Sequence, residues 1–173
     1  EPRKNLPLAL HAFARLRDLL PADLFARIRL VIAGGYDERR HDNRTVFEAL
    51  RREARELGLA GQVAFLRSPS DAERASLLRR CRCVVYTPEG EHFGYVPVEA
   101  MAAGHPVVAV NHGGPAETIV DARTGFLREP VPEAFADALA SLITDPGLAR
   151  RMGEADCRRA ATALPITAFG QLL

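Results

Sequence analysis

The chain has 173 residues, of which 47% are hydrophobic and 26% are charged, an ordinary composition for a globular protein. Its 23 Lys and Arg residues balance 22 Asp and Glu residues, and Lys4 is the only lysine. No apolar stretch reaches the roughly 18 residues of a membrane-spanning helix, and the arginines alternate with acidic residues, so neither a transmembrane segment nor a nucleic-acid partner is expected. No secretory signal is visible, and because the chain begins with Glu1 rather than Met we expect a fragment of a longer protein.

Helical and strand-like patterns alternate along the chain. Apolar residues at helical spacing predict an opening helix over 6–20, which Pro21 ends. Ser70 and Glu73 have the spacing of a capping box, which predicts a helix over 70–79. The predicted strands cover residues 29–33, 63–66, 83–86, 107–110 and 125–127, and the other predicted helices cover 45–57, 97–103, 116–120, 132–143 and 146–163.

The strands indicate the fold class. Four of them are near-continuous apolar runs, which is the pattern of strands buried on both faces of a parallel sheet. Alternation with helices then predicts an α/β fold, a Rossmann-like doubly wound parallel sheet, as one domain over 1–173. The carboxyl ends of parallel strands share one edge, where open α/β sheets bind ligands. We therefore expect the loops that follow the strands to converge there, namely Gly34–Gly35, 67–70, 87–95 and 111–115.

The segment from Glu91 to Glu99 has the highest concentration of potentially functional residues. It contains two carboxylates, and Gly94 and Pro97 stand between them. These breakers predict that Glu91 lies in a loop and that Glu99 lies in the first turn of the next helix. The free N–H groups of that helix favour an anion such as a diphosphate, whereas a carboxylate suits hydrogen bonds from hydroxyls. The combination predicts a nucleotide sugar as ligand. The alternative is that Glu99 only caps its own helix.

Other residues at this edge leave alternatives open. Lys4, at the mouth of the first helix, is the candidate cation for the phosphates, or else a solvated terminal lysine. Gly113–Gly114–Pro115 is either a close approach to a ligand or an ordinary strand-to-helix turn. His112 is either a ligand contact or a turn residue. The spacing of Gly34–Gly35 differs from that of a dinucleotide fingerprint, and no metal-spaced His pair or Asp-x-Asp occurs, so we expect no cofactor and no metal.

Together these stretches resemble the donor-binding domain of the retaining GT-B glycosyltransferases of family 4. Residues 91–99 are similar to the E-x7-E motif of that family, and the other matching stretches are 3–6, 100–108, 113–117 and 124–127. The resemblance covers nearly the whole chain and implies the C-terminal half of a two-domain architecture whose N-terminal acceptor domain is absent here. It implies glycosyl transfer with retention, in which Lys4 and a helix N-terminus, rather than a metal, stabilise the charge of the leaving group.

The resemblance also implies roles for individual residues. Glu99 would hold the ribose hydroxyls, and Glu91, with the backbone amides around Phe93 and Gly94, would hold the sugar hydroxyls. The helix start at 96–98 and Lys4 would hold the diphosphate, and the loop at 66–68 would border the base. The implied catalytic residues are Glu91 and Lys4, and the implied donor-binding residues are Gly34, Gly35, Arg67, Ser68, His92, Phe93, Gly94, Val96, Val98 and Glu99.

Within the family, residues 32–39, 65–68, 81–88 and 91–94 are most similar to the α-1,3/1,6-mannosyltransferases of dolichol-linked oligosaccharide assembly. The α-1,2-mannosyltransferases of the same pathway are the alternative. The resemblance implies GDP-mannose as donor, the dolichol-linked Man-GlcNAc2 oligosaccharide as acceptor and the cytosolic face of the endoplasmic reticulum as location. Without an acceptor domain we expect weak donor binding but no transfer. A UDP-binding sugar-nucleotide epimerase and a non-catalytic sugar-nucleotide-binding module remain as further alternatives.

Overall fold

The structure is a computed structural model that describes residues 4–90 and 94–163. Its helices are α1 (Leu6–Leu19), α2 (Ala22–Arg27), α3 (His41–Glu56), α4 (Asp71–Arg80), α5 (Tyr95–Ala102), α6 (Gly114–Thr118), α7 (Pro132–Thr144) and α8 (Pro146–Ala163). Its strands are β1 (Leu30–Gly34), β2 (Val63–Arg67), β3 (Val84–Tyr86), β4 (Val107–Val110) and β5 (Gly125–Arg128). Within the described ranges, none of the helices has both the length and the apolar character needed to cross a bilayer.

Every element predicted from the sequence is present. The structure differs from the prediction in one additional helix, α2, and in the residues at which some elements begin. Helix α2 was not predicted, because a six-residue helix directly after Pro21 is too short to show a helical period. Helix α3 begins at His41, ahead of the predicted residue 45, because its first turn is polar and Asp42 stabilises it through the helix dipole. Helix α5 begins at Tyr95, two residues before Pro97, which lies in its first turn as predicted.

The strands pair in parallel, as predicted, but they form two sheets. In one sheet β1 pairs with β2, and Gly34 lies opposite Arg67 at its carboxyl edge. In the other sheet the order is β3–β4–β5, and Tyr86 lies opposite Ala109. No strand among the described residues joins the two sheets, so one edge of β1 and one edge of β3 stay unpaired. Val31 of β1 is 41% exposed, although its apolar run has the pattern of a central strand.

One hydrophobic core lies beneath both sheets. Leu30 and Val63 of the first sheet pack against the same cluster that contains Val108 and Val110 of the second. The centre of this cluster is the α1–α7 interface, where Leu16, Phe135 and Leu142 are fully buried. Complete burial of one such side chain contributes about 1.5–3 kcal/mol to stability. The shared cluster explains how the two sheets stay in one domain without strand pairing between them.

A smaller core fixes the helix that carries the predicted site. Tyr86 of β3, Ala109 of β4 and Ile119 pack with Ala100 and Met101 of α5. Leu78 of α4 packs against the same cluster. Helices α4 and α5 are therefore both anchored to the second sheet, which sets the position of their N-terminal turns relative to each other.

Candidate functional site

The turn before α1 is tied to the loop that follows β3. Thr87, which is buried, donates a hydrogen bond from its Oγ1 to the carbonyl oxygen of Lys4 at 2.6 Å. Asn5, with a left-handed backbone (φ 43°), donates from Nδ2 to Oε1 of Glu89 at 2.8 Å. These contacts place the backbone of Lys4 at the carboxyl end of β3, the edge where the sequence predicted it.

A second set of contacts joins the loops after β1 and β2. The Ser68 amide donates to the carbonyl of Gly34 at 2.8 Å. The Ser68 hydroxyl accepts from the Tyr36 amide at 2.9 Å and donates to the Tyr36 carbonyl at 3.0 Å. Ser68 has a left-handed backbone (φ 47°), which this reciprocal pair maintains. Gly34, Gly35, Arg67 and Ser68, four residues of the predicted donor site, are thereby brought together.

An arginine–aromatic cluster that sequence reasoning missed lies beside these loops. The Arg67 guanidinium lies 4.8 Å from the ring centroid of Tyr36 and 5.2 Å from that of Phe47. Phe47 meets the ring of Phe65 edge-on, with centroids 5.7 Å apart. The cluster lines a shallow pocket that also includes Leu6 of α1. Because Leu6 follows Lys4 and Asn5 directly, this pocket adjoins the turn that Thr87 holds.

Gly34 and Gly35 leave open space in this pocket. A Cβ atom added to either residue would meet no atom within 4 Å, and neither residue has a positive φ. Neither packing nor backbone conformation in the unliganded chain therefore requires glycine at these two positions. Glycine at these positions allows a ligand to approach the backbone closely.

The start of α5 carries three of the predicted site residues, Gly94, Val96 and Val98. Gly94, in a left-handed conformation (φ 69°), precedes the helix, and the hydroxyl of Tyr86 lies 3.1 Å from where its Cβ would be. Since the helix begins at Tyr95 and Pro97 has no N–H, the amides of Gly94 and Val96 lie ahead of the first i to i−4 hydrogen bonds of the helix. The side chain of Val98, the last residue of the predicted helix start, is fully buried, and its place in the donor site stays a prediction.

Glu99 lies in the second turn of α5 and forms an ion pair with α4. Its Oε1 is 3.5 Å from Nη2 of Arg74, whose guanidinium also lies 3.6 Å from Oδ1 of Asp71. The predicted capping box fixes the start of α4: Ser70 Oγ accepts from the Glu73 amide, and Glu73 accepts from the Ser70 amide at 2.8 Å. Hydrogen bonds from the Ser70 backbone and hydroxyl hold the pKa of Glu73 below its usual value. Glu99 was predicted in the first turn of the helix and lies in the second. Its ion-pair partner Arg74 was not predicted.

Three predicted site residues, Glu91, His92 and Phe93, lie outside the described residues. In the sequence they stand between Glu89, which contacts Asn5, and Gly94, which caps α5. Across residues 4–90 and 94–163, no three His, Cys, Asp or Glu side chains are grouped to hold a metal ion. The expectation that no metal takes part stays a prediction.

The arrangement offers three chemical environments along one edge. The amides of Gly94, Tyr95 and Val96 favour an anion, since they lie at the positive end of the α5 dipole. The Glu99 carboxylate can accept hydrogen bonds from hydroxyl groups. The arginine–aromatic pocket offers planar surfaces for an aromatic ring system. An anion, hydroxyls and an aromatic ring are the parts of a nucleotide.

Replacing Thr87 by valine tests the contact that holds the Lys4 turn. Valine has nearly the same shape, and its substitution leaves the Lys4 carbonyl without this donor, so we expect the free energy of unfolding to fall by about 1–2 kcal/mol. The measurement is urea unfolding followed by circular dichroism. Thr144→Val is the matched control, because Thr144 Oγ1 donates to the Ala140 carbonyl on an exposed helix face. Equal effects of the two substitutions would contradict a special role for Thr87.

Comparison with known proteins agrees with this geometry. The chain is 46% identical to the mouse alpha-1,3/1,6-mannosyltransferase ALG2 over 173 residues, which are all of this chain and 42% of the mouse protein. The structure of Anabaena Alr3699/HepE in complex with UDP and glucose matches 99% of this chain and 44% of that chain, with a TM-score of 0.84 and 25% identity. The C-terminal domain of a glycosyl transferase group 1 family protein (LpcC) from Francisella tularensis matches with a TM-score of 0.82 and 26% identity, covering 96% of this chain and 82% of that one.

These comparisons confirm the resemblance and the fold class inferred from the sequence, an α/β Rossmann-like domain of a GT-B glycosyltransferase. The chain spans less than half the length of the mouse relative that it matches throughout. The family described as glycosyl transferases group 1 matches residues 1–159, which include every residue of the site described above. The chain therefore belongs to the glycosyl transferases group 1 family.

Proposed function

We propose that this chain is the donor-binding part of a retaining mannosyltransferase that takes mannose from GDP-mannose. The acceptor in this proposal is the dolichol-linked Man-GlcNAc2 oligosaccharide of N-glycan precursor assembly. The observation that carries the proposal is the 46% identity to a mannosyltransferase along the entire chain, together with an edge built for an anion, hydroxyls and an aromatic ring. The chain spans 42% of that relative, so the activity belongs to a larger protein or assembly.

In this proposal each environment of the edge binds one part of the donor. The base lies in the pocket bordered by Gly34, Gly35 and the Arg67–Ser68 loop. Glu99 accepts hydrogen bonds from the ribose hydroxyls, and the amides of Gly94 to Val96 point at the diphosphate. Lys4 adds a positive charge beside the diphosphate, on a turn that Thr87 fixes at this edge. Glu91, with His92 and Phe93 beside it, binds the mannose.

In the proposed reaction these residues stabilise the negative charge that develops on the leaving diphosphate. Transfer breaks the bond between the anomeric carbon and the diphosphate oxygen. The oxygen of the acceptor hydroxyl bonds to that carbon on the same face of the sugar, and the hydroxyl proton passes to the departing phosphate oxygen. GDP leaves with increased negative charge on its terminal phosphate. Lys4 and the start of α5 meet that charge, because donors fixed before the reaction need no reorganisation as the charge develops. The proposal assigns this work to protein groups and requires no metal.

The proposal also places the chain. In this proposal a second domain, which faces α5, holds the lipid-linked acceptor at the cytosolic face of the endoplasmic reticulum. Since acceptor binding is assigned to that second domain, we propose that the 173-residue chain by itself binds the donor and does not transfer mannose.

Stabilisation by GDP tests the proposal. A ligand at a hundred times its Kd adds about 2.7 kcal/mol to the free energy of unfolding, and we expect this from GDP but not from UDP at the same concentration. The measurement is urea unfolding of the chain with each nucleotide at millimolar concentration. A larger effect of UDP would overturn the choice of base, and no effect of GDP or GDP-mannose would overturn the proposal. Glu91→Ala should weaken GDP-mannose more than GDP.

A further inference from the structure

Arg74 connects two helices at the edge where the ribose is proposed to bind. It lies in the first turn of α4, and its guanidinium reaches Glu99 of α5 at 3.5 Å while contacting Asp71 of its own helix at 3.6 Å. The side chain of Glu99 is 18% exposed and that of Arg74 is 45% exposed. The carboxylate is thus largely removed from water, while the guanidinium is still open to it.

Both ends of this contact are held by the fold. The Ser70–Glu73 capping box fixes the first turn of α4, which carries Arg74. Further along α4, Leu78 packs against the cluster that contains Ala100 and Met101, the residues that follow Glu99 in α5. The positions of the two helices that carry Arg74 and Glu99 are therefore fixed relative to each other.

Stability alone does not account for this pair. An ion pair in which one partner is almost half exposed contributes little to the free energy of folding. Burial of a carboxylate costs free energy that a charged partner offsets, however, and such a partner also holds the carboxylate in one orientation. Arg74 engages Oε1 of Glu99, and a carboxylate has about four acceptor positions, so positions on Oε2 stay available to other donors.

We infer that Arg74 is a positioning residue for the donor: it orients the Glu99 carboxylate so that the carboxylate accepts hydrogen bonds from the ribose hydroxyls. This inference rests on the proposed function, which assigns the ribose to Glu99. Arg74 acts through Glu99 and does not need to touch the nucleotide. Its expected signature is a loss of discrimination between nucleotides with and without ribose hydroxyls.

The test compares GDP with 2′,3′-dideoxy-GDP by isothermal titration calorimetry on the 173-residue chain. In the wild type, loss of two hydrogen bonds to a charged acceptor should weaken binding about a hundredfold or more. In Arg74→Met, the affinity for GDP should fall toward that for dideoxy-GDP, and the affinity for dideoxy-GDP should stay near its wild-type value. Methionine keeps the length and the helix propensity of the side chain and removes its charge.

Two further variants keep the inference falsifiable. Arg74→Lys retains the charge without the planar fork and should restore part of the discrimination. Arg80→Met, an exposed arginine in the last turn of the same helix, should leave the ratio of the two affinities unchanged. Full discrimination in Arg74→Met would overturn the inference and leave the proposed function standing. Absence of discrimination in the wild type would overturn the ribose assignment itself, and the inference with it.

Discussion

Replacing Glu99 by alanine is expected to abolish the stabilisation of the chain by GDP. Two ribose hydrogen bonds to a carboxylate contribute about 1.5–3 kcal/mol each, so their loss should raise the Kd by about a hundredfold or more. At a GDP concentration that is a hundred times the wild-type Kd, the added stability then falls from about 2.7 to about 0.4 kcal/mol. The measurement is urea unfolding of both proteins with and without GDP at that fixed concentration.

The unliganded variant provides the internal check. Without nucleotide, Glu99→Ala should differ from the wild type by less than about 1 kcal/mol, because the Arg74 pair is partly exposed. Glu48→Ala is the control, since Glu48 is an exposed carboxylate on α3, away from the helix that carries Glu99. An unchanged GDP effect in Glu99→Ala would contradict the assignment of this residue, whatever happened in the control.

Sequence patterns predicted the elements because the signals for these elements are local. The apolar runs at 63–66 and 107–110 identified β2 and β4, and the spacing of Ser70 and Glu73 identified the start of α4 through two hydrogen bonds between near neighbours. Pro97 identified the first turn of α5, because proline suits that turn of a helix. The residue that precedes the helix is Gly94, in a left-handed conformation that glycine tolerates.

The candidate site was only partly predictable, because its remaining parts depend on contacts distant in sequence. Glu99 and Gly94 belong to a motif within one stretch, which the sequence displays directly. Arg74 is one of 22 arginines, and nothing in its local pattern distinguishes it until α4 is placed beside α5. The cluster around Arg67 likewise combines Tyr36, Phe47 and Phe65 from three elements. Periodicity assigns such residues to one face of their own helix or strand, and it gives no information about which other element packs against that face.

Gly153→Ala is expected to cause the largest loss of stability among the substitutions considered. Gly153 lies inside α8, where glycine costs about 1 kcal/mol relative to alanine, so propensity alone predicts a gain. A Cβ atom at this position would lie 1.9 Å from the carbonyl oxygen of Gly104 and 2.8 Å from its carbonyl carbon. Backbone cannot move aside as a flexible side chain does, so α8 must shift away from α5. We expect a net loss of about 2–3 kcal/mol in urea unfolding.

The same shift should reach the candidate site. Gly104 ends the turn after α5, the helix that carries Glu99, and α8 packs directly on that helix. We therefore expect Gly153→Ala to weaken GDP binding as well, by displacing α5 rather than by removing a contact. Gly147→Ala, near the start of α8, is the matched control, because its Cβ would meet only the ends of the Arg151 and Asp145 side chains. If Gly153→Ala were as stable as Gly147→Ala, the close contact between α8 and Gly104 would be wrong, and the position of α5 would need another support.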